Sequence, residues 1–75
     1  MITIGELSQV SKVTVKTIRY YQELGILNPV NIDAATGYRY YDHSSYSRIN
    51  SILTLKKFGF TLKEIQKIKY ISSRT

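Results

Sequence analysis

The sequence has no cysteine, so it offers no disulfide framework, no thiol nucleophile and no zinc-finger spacing. That fits a reducing, cytoplasmic setting. His43 is the only histidine and falls at an expected helix start, so it reads as a solvated or capping residue rather than a ligand or base. No run of apolar residues is longer than two, which leaves neither a membrane span nor the apolar stretch of a secretory signal. Glycine-rich phosphate loops of either common form are missing, and the serines lack a base partner. With no catalytic constellation, no enzyme activity, metal or cofactor is expected. Acidic residues are also scarce: 5 Asp plus Glu stand against 11 Lys plus Arg, a net charge of +6. Such an excess suggests a polyanionic partner, either nucleic acid or an anionic membrane surface. Lys12, Lys16 and Arg19 are balanced by Glu6, Glu23 and Asp33, so all of the net charge lies beyond residue 37.

Seventy-five residues make one small domain. A core of that size supplies about 3–5 kcal/mol without staples, which leaves little to support a strained catalytic centre.

Along the chain, Thr3-Ile4-Gly5-Glu6 has the capping-box form and predicts a short helix from Ile4 to about Ser11, with Ile4, Leu7 and Val10 on one face. Thr14 caps a second helix with apolar contacts at Val15, Ile18 and Leu24 and Gly25 as a left-handed terminator. The connection, Lys12 to Thr14, has the length of a helix-turn-helix turn. Asn28-Pro29 stops helical structure. Val30 and Ile32 at strand spacing, the Ala34-Ala35-Thr36-Gly37 turn and Tyr38-Arg39-Tyr40-Tyr41 then predict a hairpin. Asp42 or Ser44 caps a longer third helix bearing Tyr46, Ile49, Ile52, Leu53 and Phe58, closed by Gly59. Thr61-Leu62-Lys63-Glu64 repeats the capping box and opens a fourth helix, where Leu62, Ile65, Ile68 and Ile71 form a stripe opposite Lys63, Lys67 and Lys69. Ser72-Ser73-Arg74-Thr75 reads as a frayed end.

Within the second helix, Lys16, Thr17, Arg19, Tyr20 and Glu23 lie off the Ile18 stripe. They are either DNA contacts or a solvated amphipathic face: Lys and Arg reach phosphates or guanine, Thr the thymine methyl, Tyr a phosphate oxygen. Tyr38-Arg39-Tyr40-Tyr41 suits an arm along the DNA backbone or in a minor groove. Alternation puts Tyr38 and Tyr40 on one face and Arg39 and Tyr41 on the other, so one tyrosine pair is expected in the core. Lys56 and Lys57 end the third helix, where the helix dipole favours cations with or without a ligand.

In this order Thr14-Val15-Lys16-Thr17-Ile18-Arg19-Tyr20-Tyr21, Leu24-Gly25, Gly37-Tyr38-Arg39-Tyr40-Tyr41 and Gly59-Phe60-Thr61-Leu62-Lys63-Glu64-Ile65 resemble the DNA-binding domain of MerR-family transcriptional regulators over residues 1–71. The resemblance implies a mainly α, winged helix-turn-helix fold with four helices and a small β-hairpin wing, the second helix entering the major groove. It implies contacts to double-stranded DNA at Lys16, Thr17, Arg19, Tyr20, Tyr21, Tyr38, Arg39 and Tyr41, with Lys56 as a further phosphate candidate. It also implies a homodimer held through a C-terminal helix absent here, and promoter DNA bent and untwisted for RNA polymerase. Residues 72–75 are then a tail or the start of a linker. Two alternatives stay open: a standalone excisionase-like architectural DNA binder, and a protein-interaction module using the Leu62, Ile65, Ile68 and Ile71 face.

Overall fold

The computed structural model, described over residues 1–72, orders the chain as β1 (Ile2–Thr3), α1 (Ile4–Ser11), α2 (Val15–Glu23), β2 (Asn31–Ile32), β3 (Arg39–Tyr41), α3 (His43–Lys57) and α4 (Leu62–Ser72). Four helices and a three-stranded antiparallel sheet match the expected class, with one strand more than the hairpin alone supplies.

The helix starts follow from local chemistry. The Glu6 amide donates to Thr3 Oγ1 at 3.2 Å and the Thr3 amide to Glu6 Oε1 at 2.9 Å, completing the box at α1. Thr14 Oγ1 accepts from the Thr17 amide at 3.1 Å. Asp42, rather than Ser44, caps α3 and accepts from the Ser44 and Ser45 amides. At α4 the Thr61 amide donates to Glu64 Oε1 at 2.9 Å and the Glu64 amide returns to Thr61 Oγ1 at 3.2 Å. Each pairing satisfies amides that a helix cannot satisfy internally.

Two helix ends share one device. After α2, the Gly25 amide donates to Gln22 O and the Ile26 amide to Tyr21 O; after α3, the Gly59 amide donates to Lys56 O and the Phe60 amide to Leu55 O. Both are Schellman motifs, and both glycines have positive φ, 75° and 96°, as the motif requires. The end of α1 uses Lys12 instead, at φ 61°. Lys12 begins the three-residue turn into α2, and Ser8 Oγ steadies that turn by donating to Val13 O at 2.6 Å.

Leu7, Ile18, Tyr21, Ile26, Leu27, Tyr41, Ile49, Ile52 and Ile65 form the core, with Val13 at its edge. Two expected core positions are corrected. Val10 is 54% exposed, because the buried side of α1 runs from Leu7 to Ser11, four residues on, leaving position 10 outside. Phe58 is 77% exposed, because it is the C-cap of α3 and leaves the helix where the chain turns away. On α4, Ile65 is buried and Leu62 packs against the core. The stripe is thus used internally at these positions, which counts against its role as a partner-binding face. The side chains of Lys69 and Ile71 lie outside the described residues; of the expected tail at residues 72–75, Ser72 falls within α4 and residues 73–75 lie outside the described residues.

Within the sheet β3 is central: Ile2 pairs with Tyr41 and Thr3 with Tyr40 on one side, Asn31 with Tyr40 and Ile32 with Arg39 on the other. That order corrects the expectation of a buried tyrosine pair. Tyr41 alone is fully buried, opposite Ile2; Tyr40 is half-buried, and Tyr38 precedes the strand at the exposed turn.

Candidate nucleic-acid interface

Helix α2 divides its side chains cleanly. Ile18 and Tyr21, three apart, face the core at 0% and 1% exposure, whereas Lys16, Arg19, Tyr20 and Glu23 are exposed. Thr17 is half-buried, and its Oγ1 accepts from the Thr14 hydroxyl at 2.9 Å, tying it to the start of the helix.

The wing is built around Asp33. Its Oδ1 accepts from the Ala35 amide at 2.8 Å and the Thr36 amide at 3.1 Å, while its carbonyl accepts from the Gly37 amide at 2.8 Å. Those amides hold the Asp33 carboxyl below the usual carboxylate range. The Asp33 amide donates to Tyr38 O and the Val30 amide to Tyr40 O, zipping the two arms together. Gly37, at φ 76°, lets the chain reverse just before Tyr38 and Arg39.

Helix α2 and the hairpin border common ground through Arg19 and Arg39. Both line one concavity with Gln22, Glu23, Asn28, Pro29 and Ile32, and both line a second with Thr3, Tyr38 and Tyr41. Two arginines thus border both hollows, an arrangement that suits a backbone phosphate or a base edge. Tyr38, 67% exposed, flanks the second hollow.

Two of the residues expected to contact DNA lie in the core. Tyr21 and Tyr41, at 1% and 0% exposure, belong to the hydrophobic core, so their rings are not presented at the surface. Burial raises the Tyr41 pKa, against the opposing pull of Arg39 and Arg19, so its hydroxyl stays protonated and donates to Gln22 Oε1. Lys56 is exposed in the last turn of α3 beside the Phe58-to-Phe60 turn, and it lines neither hollow. Gln22 went unrecognised at the sequence level, although its spacing of three from Arg19 puts it on the same side of the helix.

Among the described residues no three His, Cys, Asp or Glu side chains group so as to hold a metal, and no helix is long and apolar enough to cross a membrane.

Two short helices joined by a tight turn, the second exposing cations beside a hairpin that carries another, define a winged helix-turn-helix domain. The chain matches the MerR HTH family of regulatory proteins across residues 2–70 and belongs to that family. It is 38% identical over 71 residues to the mercuric resistance operon regulatory protein of Bacillus cereus, covering 95% of this chain and 53% of that protein. The fold is similar to the crystal structure of the transcription regulator PbrR691 from Ralstonia metallidurans CH34, with a TM-score of 0.88 and 29% identity over 99% of this chain and 57% of the other. A cryo-EM structure of an EcmrR–DNA complex matches with a TM-score of 0.77 and 27% identity, covering 96% of this chain and 31% of that one. The chain spans about a quarter to a half of the length of the curated relatives it matches.

Proposed function

We propose that residues 1–71 are the double-stranded-DNA-binding unit of a bacterial transcription regulator working in the cytoplasm. In this reading α2 lies in the major groove, with Lys16, Arg19 and Tyr20 as its contacts and Thr17 near the groove edge. The wing adds Tyr38 and Arg39 along the adjacent backbone, and Lys56 adds a phosphate contact from α3. Carrying the reading is the convergence of Arg19, from the helix, and Arg39, from the wing, on the same two hollows. The net charge of +6 supports it, as does the likeness to a protein solved on DNA.

A pair of such domains, joined as a homodimer by a segment C-terminal to α4, would occupy the halves of a near-palindromic operator. Bending and untwisting promoter DNA for RNA polymerase would then be work done by deformation, with no bond broken.

The test is an amide NMR titration with a mixed-sequence duplex at low and moderate salt, which requires no knowledge of the operator. Shifts should concentrate at residues 16–20 and 38–39 and shrink as salt rises. For about four phosphates covered, log K against log salt should slope near −3.6. Unmoved resonances at both salts would overturn the reading.

A further inference from the structure

We infer that Gln22 is a DNA-phosphate donor and that buried Tyr41 is the residue that positions it, so that wing and recognition helix grip one phosphodiester together. The inference rests on the DNA-binding reading above and deepens it.

An amide side chain free to turn presents an acceptor and two donors, and as such can pair bidentately with adenine. Gln22 is not free to turn. The Tyr41 hydroxyl donates to Gln22 Oε1, which fixes the acceptor end inward on the wing strand β3. Nε2 is left as a donor with no partner among the described residues. Gln22 lines the cavity of about 400 Å³ that Arg19 and Arg39 also line. Two guanidiniums and one oriented amide, all donors, thus border a single hollow; they complement an acceptor, and of the acceptors DNA offers, the phosphate oxygen carries the charge that two guanidiniums match best. Glu23 is the one carboxylate among the residues lining that hollow. Two cations outweigh it, and it disfavours a second phosphate.

The geometry also explains why a buried tyrosine sits next to an exposed arginine on the wing. Arg39 and Tyr41 share one strand, two residues apart, so a shift of β3 that moves the arginine also moves the hydroxyl that holds Gln22. The wing's contact and the helix's contact are mechanically one unit.

The experiment is a double-mutant cycle on affinity for a mixed-sequence duplex, read by fluorescence anisotropy at several salt concentrations. Gln22→Ala, Tyr41→Phe and the double variant are compared with the wild type and with Arg39→Ala. Circular dichroism melts keep every binding measurement well below unfolding. The double variant removes both partners, so it leaves neither group orphaned. Gln22→Ala and Tyr41→Phe should each weaken binding about three- to tenfold. The double variant should be no weaker than Gln22→Ala alone, because Tyr41 acts only through Gln22. Their salt slopes should equal that of the wild type, since an amide displaces no counterion, whereas Arg39→Ala should lower the slope by about 0.9. A tyrosine that merely held the fold would shift melting and leave this coupling in affinity at zero. Wild-type affinity on Gln22→Ala and Tyr41→Phe, or losses that multiply in the double variant, would overturn the inference while Arg39→Ala still vindicates DNA binding. A wild type that fails to bind DNA, or binds it without salt dependence, would overturn the DNA-binding reading itself.

Discussion

Ile18 and Arg19 are neighbours in sequence with opposite expected behaviour, and the contrast can be given numbers. Ile18 is fully buried in the centre of the core. Truncation to alanine removes three carbons, about 2.4 kcal/mol of transfer energy at about 0.8 kcal/mol each, and the cavity left behind brings the total into the range of about 2–5 kcal/mol. An unstapled domain of this size holds about 3–5 kcal/mol in all, so Ile18→Ala should be largely unfolded or close to it at 25 °C. Arg19 is exposed, and its truncation should change stability by no more than about 0.5 kcal/mol, or about 4 °C in melting temperature. The same change should weaken DNA binding and reduce the salt slope by about 0.9, the signature of one lost phosphate contact. Thermal melts by circular dichroism and anisotropy titrations across a salt series provide both readings. If Arg19→Ala melts as early as Ile18→Ala, or binds DNA with the wild-type slope, the assignment of faces on α2 is wrong.

Ser11 is 6% exposed and its Oγ has no hydrogen-bond partner among the described residues, so Ser11→Ala should raise stability by about 1 kcal/mol in urea denaturation; a loss would mean that the hydroxyl has a partner. Lys12 occupies the left-handed region at φ 61°, where an L side chain is strained, so Lys12→Gly should stabilise by about 0.5–1 kcal/mol, and a lower melting temperature would refute that account of the turn. The pKa values of Glu6, Asp33, Asp42 and Glu64 are all lowered, chiefly by amide donors at Glu6, Asp33 and Glu64 and by the Ser44 hydroxyl at Asp42. Groups with depressed folded pKa values stabilise fully above their unfolded values, about 3.9 for Asp and 4.3 for Glu, and lose that contribution as pH falls through the folded values. The melting temperature should therefore decline steadily below about pH 5, and a flat profile down to pH 3 would show that these carboxylate hydrogen bonds contribute nothing.

The helix boundaries were legible because their causes are local. Thr3, Thr14, Asp42 and Thr61 each satisfy amides within three residues, and Gly25 and Gly59 each end a helix through their own φ. Strand order is not local. Nothing in Tyr38-Arg39-Tyr40-Tyr41 shows that Ile2 and Thr3 will pair against it, and that pairing decides that Tyr41 is the ring that is buried. The same limit applies to the candidate site. Its elements and its cations could be read from residue type and spacing, but Tyr20 and Tyr21 are adjacent and chemically identical. A helical rotation of about 100° between them puts one at 47% exposure and the other at 1%. The Ile18 stripe carries that information, since Tyr21 lies three residues beyond Ile18; the tyrosine-rich motif conceals it.

The back of α2 is held by groups that take no part in its exposed face. Past its C-terminus Ile26 and Leu27 are buried, Gln66 Nε2 of α4 donates to Leu24 O at 2.7 Å, and Arg48 Nε of α3 donates to Ile26 O at 2.9 Å. These donors come from 42 and 22 residues away and reach carbonyls at the end of the helix and in the segment after it, where the helical ladder supplies no partner. The helix is therefore anchored before any ligand arrives, and little ordering remains to be done on binding. The donors that anchor the end of α2 come from α3 and α4, whereas its exposed cations come from α2 itself. Gln22 is where the two sets meet: one end of its amide is held by a buried tyrosine, and the other belongs to the face that the arginines share.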